Sequence, residues 1–106
     1  MNFDKKVFIT GASGGIGSAI CDIYQKNEYK MILTSSSKEK LDVLKNKYGN
    51  ENFYYNIDIS DPVNLQKSID EISNDHKNIS IIVNNAGITE DNLIFRMKSE
   101  QWSKVI

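Results

Sequence analysis

Residues 10–17 read TGASGGIG, and they constrain the chain more than any other stretch. Four of its six glycines fall within positions 11–17, a density that neither helix nor strand tolerates. The run before it, KVFIT, is apolar and short, as a strand would be. After it, apolar residues recur at Ile16, Ile20, Ile23 and Tyr24, which is helical spacing and predicts a helix burying that stripe. The bend therefore joins a strand to a helix. Gly11 lets the chain turn sharply as it leaves the strand. Gly15 leaves the backbone bare where a phosphate would approach, and Gly17 lets the helix pack close to the sheet. The helix start offers unpaired N–H groups and partial positive charge to a diphosphate. The spacing is G-x-x-x-G-x-G rather than the common G-x-G-x-x-G. A tight turn without a ligand is the bland alternative, and the strand before and helix after weigh against it.

The rest of the chain alternates in the same way. Residues 31–35 (MILTS), 53–57 (FYYNI) and 79–83 (ISIIV) read as strands, the last apolar enough to be covered on both faces. Between them, Leu41, Leu44 and Tyr48 mark one helix, and Leu65, Ile69 and Ile72 mark another. Ser36 and Glu39 have the spacing of a capping box for the first, with Gly49 placed to end it. Asp61 and Pro62 suit the cap and first position of the second. A final helix is expected to begin near Ser99. The order β-α-β-α-β-α-β-(α) predicts an α/β fold: a Rossmann-type parallel sheet with helices on both faces, strand order 3-2-1-4. With only four strands it is expected to be incomplete. Residues 1–106 would be the N-terminal part of a single dinucleotide-binding domain, cut short at the C-terminal end.

Composition excludes several classes. Net charge is 13 − 14 = −1, which gives no reason to expect nucleic acid or an anionic membrane as partner. No apolar run approaches the roughly 18 residues of a membrane helix, and the N-terminus lacks the pattern of a signal peptide. The single cysteine, Cys21, allows no internal disulfide and fits a reducing, cytoplasmic setting.

The end of the second strand bears on the choice of coenzyme. NAD-specific sites tend to carry an acidic residue about 20 residues past the glycine bend. Residues 34–38 read TSSSK, with no carboxylate. A carboxylate about 4 Å from a ribose 2′-phosphate would cost on the order of 4 kcal/mol per charge pair at an effective dielectric of 20. Ser35, Ser36 and Lys38 are thus candidates to hold that phosphate, and NADP(H) is expected over NAD(H). The alternative is that the serines only cap the following helix, and Ser36 has the position to do both.

At this point the sequence resembles the classical short-chain dehydrogenase/reductase family. Residues 10–17 are similar to that family's T-G-x-x-x-G-I-G loop, and residues 84–87 (NNAG) to its N-N-A-G motif after the fourth strand. Within the family, residues 87–106 (GITEDNLIFRMKSEQWSKVI) resemble bacterial 3-oxoacyl-[acyl-carrier-protein] reductases at Asp91, Asn92, Leu93, Arg96, Met97, Lys98 and Trp102. Acetoacetyl-CoA reductases share much of this segment. The resemblance implies a nicotinamide dinucleotide held by Gly11, Ser13, Gly14, Gly15, Ile16 and Gly17 at its diphosphate. It implies Asp58 on the adenine amino group, Ile59 in backbone contact with the same ring, and Asn84, Ala86 and Gly87 along the ribose side. Asp58 has a competing reading as a loop carboxylate capping the next helix. Asn84 and Asn85 have one as ties between strand ends and neighbouring backbone. Gly14 departs from the basic or polar residue common there in the subfamily, and Glu90 from a basic one.

The resemblance also implies hydride transfer to a carbonyl, an acyl-carrier-protein-linked substrate and a homo-oligomer, a tetramer, for the complete protein. The family's catalytic asparagine, serine, tyrosine and lysine have no counterparts here, so no catalytic residue is assigned. No tyrosine of this chain is followed four residues on by lysine. A nucleotide-binding module without catalysis, an inactive partner subunit and a functionless truncated product are the competing readings. His76 is expected as an exposed cation at a helix end, Cys21, Met97 and Trp102 as packing residues, and Arg96 at the surface or an interface. The strand of Val83 would be an open edge, so the isolated polypeptide is expected to aggregate or to be molten.

Overall fold

In the computed structural model, which describes residues 5–58, 60–76 and 78–85, four strands and three helices alternate along the chain. They are β1 (Lys6–Thr10), α1 (Gly15–Lys26), β2 (Lys30–Ser35), α2 (Lys38–Tyr48), β3 (Phe53–Asn56), α3 (Pro62–Asp75) and β4 (Ile79–Asn84). The strands form one sheet, in the order β3-β2-β1-β4, and every pairing is parallel. This is the expected Rossmann-type arrangement. Asp58 lies just past it, Ile59 outside the described residues, as do Ala86, Gly87 and the helix expected near Ser99.

Strand alternation divides the core into two layers. Val7 and Ile9 of β1, Met31 and Leu33 of β2 and Val83 of β4 face one side, where α1 and α2 cover them with Cys21, Leu41, Leu44 and Tyr48. Phe8, Ile32 and Ile82 face the other, covered by Leu65, Ile69 and Ile72 of α3. Each such fully buried aliphatic or aromatic side chain contributes roughly 1.5–3 kcal/mol relative to exposure. The pairing of β4 with β1 slips between Lys6 and Val7, which stand opposite Ile79 and Ile81, so Ser80 is passed over. That slip is why Ile79 and Ile82, three apart, share one face.

Two helix expectations need correction. Ile16 and Ile23 do not lie on the inner face of α1; they are 72% and 59% exposed. The buried positions are Gly17 and Cys21, with Ile20 and Tyr24 packed beside them. Small residues four apart let the helix approach closely, and that contact sets its rotation. Ser36 and Glu39 form no capping box: the N-cap of α2 is Ser37, whose hydroxyl accepts from the Lys40 amide at 3.3 Å. The stripe Leu41, Leu44, Tyr48 sets where the helix points, and the chain enters it one residue later. Asp61 does cap α3, accepting from Val63 and Asn64, and Gly49 closes α2 at φ +85°. Cys21 is buried, and burial first, then the Asp22 charge, pushes its thiol up to about 12, so it is a packing residue.

Candidate functional site

Because the sheet is parallel, the carboxyl ends of all four strands share one edge. The strand order reverses direction at β1, whose neighbours are β2 and β4, so the crevice of such a sheet opens where β1 ends. Here the glycine bend sits. Gly11 adopts φ +63°, the left-handed turn that favours glycine. A Cβ on Gly17 would lie 2.4 Å from the Gly11 carbonyl oxygen and 2.9 Å from the Ala12 Cα. Gly17 is therefore required by the bend's own backbone folding over the helix start, more than by the sheet below. Gly14 and Gly15 differ: among the described residues, a Cβ on either would meet nothing within 4 Å. Those two face open ground, the place where side chains would obstruct a ligand rather than the fold.

The start of α1 is bare. Gly14 caps it without a side-chain hydrogen bond, no acidic residue lies in the first turn, and the first intrahelical bond runs from the Ser18 amide to the Gly14 carbonyl at 2.8 Å. The amides ahead of it have no intrahelical acceptor, as at any helix start. Ile16 presents its apolar side chain beside them. A diphosphate fits this cradle: donors without intrahelical acceptors, no carboxylate in the turn, and two glycines facing outward.

Hydroxyls and amides at the strand ends hold the bend. The Gly11 amide donates to the Thr34 hydroxyl at 3.3 Å, and the Ala12 amide to the Thr34 carbonyl at 2.9 Å. The Ser13 and Ser35 hydroxyls meet at 3.0 Å. On the other side the Asn85 side-chain amide donates to the Gly11 carbonyl at 3.0 Å, and the Asn85 backbone amide to the Thr10 hydroxyl at 2.9 Å. Thr10 in turn lies 3.3 Å from the Asn84 side-chain oxygen. Asn85 thus acts as a tie from β4 to the bend, as the structural reading of the asparagine pair expected. Thr10 and Thr34 were not among the candidate site residues. Their signal in the sequence is a threonine at or near the end of two strands that flank a glycine turn.

Ser35 is 3% exposed, and its hydroxyl also accepts from the Ser37 amide at 3.2 Å. It is part of the scaffold. Ser36 and Lys38 are exposed beside it, and Ser36 does not carry the helix cap. Asp58 is exposed, and its carboxylate accepts from the Ser60 amide at 2.9 Å and from the Ser60 hydroxyl; the hydroxyl bond chiefly holds it below the usual carboxylate range. It does not cap α3, a task Asp61 performs.

Four of the tyrosines are poor general bases. Burial first pushes the phenols of Tyr24, Tyr48, Tyr54 and Tyr55 upward, the wrong direction for proton abstraction near neutrality. His76 corrects its expectation outright. It is 2% exposed rather than a solvated cation, and burial, then the Lys6 charge, lowers it to about 4. Its partners lie at the opposite edge of the sheet.

The family model for short chain dehydrogenases matches residues 5–106, and the chain belongs to that family. Among its relatives, the 3-oxoacyl-[acyl-carrier-protein] reductase FabG of Escherichia coli is 36% identical over the whole of this chain and 44% of its own length. The protein of the same name from Rickettsia prowazekii is 41% identical over 96% of this chain and 41% of its own. This chain thus spans less than half the length of these relatives. Among solved structures, ElxO with NADP bound superposes with a TM-score of 0.68 at 31% identity, covering 80% of this chain and 36% of that one. Yeast methylglyoxal/isovaleraldehyde reductase Gre2 complexed with NADPH gives 0.62 at 30% identity, over 74% and 26%.

Proposed function

We propose that this chain is the coenzyme-holding part of an NADP(H)-dependent reductase. The complete protein, a cytoplasmic homo-tetramer, would reduce a 3-oxoacyl thioester on acyl-carrier protein to its 3-hydroxyacyl form in fatty acid synthesis. The observation that carries the reading is the bare bend, with Gly14 and Gly15 facing open ground over the uncapped start of α1. When bound, the coenzyme supplies the hydride for the carbonyl. In this chain Gly11, Ser13, Gly14, Gly15, Ile16 and Gly17 would hold the diphosphate, and Thr10, Thr34 and Asn85 keep the bend in shape for it. Asp58, Ile59, Asn84, Ala86 and Gly87 would line the adenine and ribose.

The preference for NADP(H) is supported by the absence of a carboxylate at residues 34–38 and by the exposure of Ser36 and Lys38. It is supported too by relatives solved with that coenzyme. The substrate class is supported by the names of the relatives that match the whole chain. The test is to give the full-length protein NADPH or NADH with acetoacetyl-acyl-carrier protein or acetoacetyl-CoA, and to follow loss of the reduced nicotinamide. Fastest turnover with NADPH and the carrier-linked substrate is expected. Turnover with the CoA thioester alone would overturn the substrate, faster turnover with NADH the coenzyme, and binding of NADPH without turnover the enzyme reading.

A further inference from the structure

The amino edge of the sheet, away from the bend, holds a polar chain around the buried His76 that the coenzyme site does not use. Lys6 opens β1, Phe53 and Tyr55 lie on β3, and Asp75 and His76 end α3. Lys6 Nζ stands 3.1 Å from His76 Nδ1, His76 Nε2 3.0 Å from the Tyr55 hydroxyl, and that hydroxyl 2.9 Å from Asp75 Oδ2. The Phe53 ring packs edge-on against the imidazole at 4.4 Å between centroids, with Lys6 Nζ 5.4 Å from its own centroid.

Proton placement in this chain has one solution. An ammonium only donates, so Nδ1 accepts and the ring proton sits on Nε2. Nε2–H then donates to the Tyr55 oxygen, and the Tyr55 proton goes to the Asp75 carboxylate. Every bond runs in one direction, from Lys6 to Asp75, and only the neutral imidazole permits it. A second ring proton would set N–H against an ammonium at 3.1 Å and break the first link.

We infer that His76, with Lys6, Tyr55 and Asp75, forms an acid-released latch fixing the end of α3 to the first residue of β1 and to the Tyr55 side chain of β3. The charged groups around it agree. Lys6 from β1 opposes a second positive charge; Asp75 and, near Tyr55, Glu71 from α3 are the acids. From β2, Lys30 is drawn away to Glu51 at 3.6 Å, and β4 contributes the apolar Ile79. Lys77, next along the chain, lies outside the described residues. The folded state lowers the histidine to about 4, from 6.5, so the latch is fully closed above the ordinary value. It weakens as pH falls from there towards the lowered one.

The test uses the full-length protein with its histidine ring nitrogens labelled for NMR, the His76 signals being assigned by their loss in His76→Gln. At neutral pH, Nε2 is expected to be protonated and Nδ1 bare, with a midpoint well below the ordinary histidine value. Amide exchange at Ile72 and His76, corrected for its intrinsic pH dependence, should quicken roughly 20-fold between about pH 7 and about pH 5. Lys6→Met should move the midpoint up, which leaves the onset of release where it was and makes the quickening smaller. Should His76→Gln fail to fold, Tyr55→Phe supplies the assignment through the shift of the ring signals. An ordinary midpoint with exchanging tautomers in the wild type would overturn the latch. So would exchange at α3 that ignores pH while His76 titrates.

Discussion

The two edges of this sheet are built from similar polar side chains and do opposite things with them. At the amino edge, Lys6, His76, Tyr55 and Asp75 spend their hydrogen bonds on one another, around a histidine 2% exposed. At the carboxyl edge, Thr10, Thr34 and Asn85 spend theirs on the backbone of the glycine bend. Among the described residues, no atom lies within 4 Å of where a Cβ on Gly14 or Gly15 would stand. A closed edge steadies the fold. An edge that props up its own backbone and leaves the outer side bare is organised to receive something.

Substitutions separate the two edges. The largest effect is expected from Gly17→Val. Its Cβ has no room beside Gly11 and Ala12, and backbone cannot step aside as a flexible side chain can. We expect a loss of roughly 3 kcal/mol in denaturant unfolding of the full-length protein, together with loss of coenzyme binding. His76→Ala comes next: it leaves the Lys6 and Tyr55 heads short of a partner, for about 2 kcal/mol, and coenzyme affinity by calorimetry should not change. Equal loss of affinity would erase the contrast between the edges. Asn85→Ala removes the bond to the Gly11 carbonyl and should cost about 1 kcal/mol, with a several-fold weaker Kd for NADPH. The smallest effect belongs to the surface tie between α1 and α2. There the Tyr48 hydroxyl, then Lys47, holds the exposed Asp22 below the usual carboxylate range. That contribution is present above the ordinary carboxylate value and is lost as pH falls through the lowered one, so Tyr48→Phe should move the acid unfolding midpoint slightly upward.

Much of this was legible in the chain because it depends on period and punctuation. Apolar runs with helical stripes between them define the strand order, and Asp61-Pro62 and Gly49 mark helix ends by local chemistry that tertiary contacts do not override. The bend was legible for the same reason: φ +63° at Gly11 favours glycine, and the close approach at Gly17 leaves no room for a Cβ. What pattern could not show was rotation and long-range partnership. Ile16 and Ile23 fit a helical stripe, yet the tighter contact of Gly17 and Cys21 turns them outward. His76 sits between two charged residues in sequence and reads as solvated; its partners are 70 and 21 residues away. Thr34 and Asn85 meet Gly11 across 23 and 74 residues, so their work appears only when the strands are side by side.

The central claim is that the bare bend takes a diphosphate, and Gly15→Val tests it most directly. Among the described residues no atom stands within 4 Å of the added Cβ, so the unfolding temperature of the full-length protein should hold. Calorimetric titration with NADPH should show the affinity down by tenfold or more, about 1.4 kcal/mol. Unchanged NADPH affinity in a folded Gly15→Val protein, or no binding of either nicotinamide coenzyme by the wild type, would contradict the account.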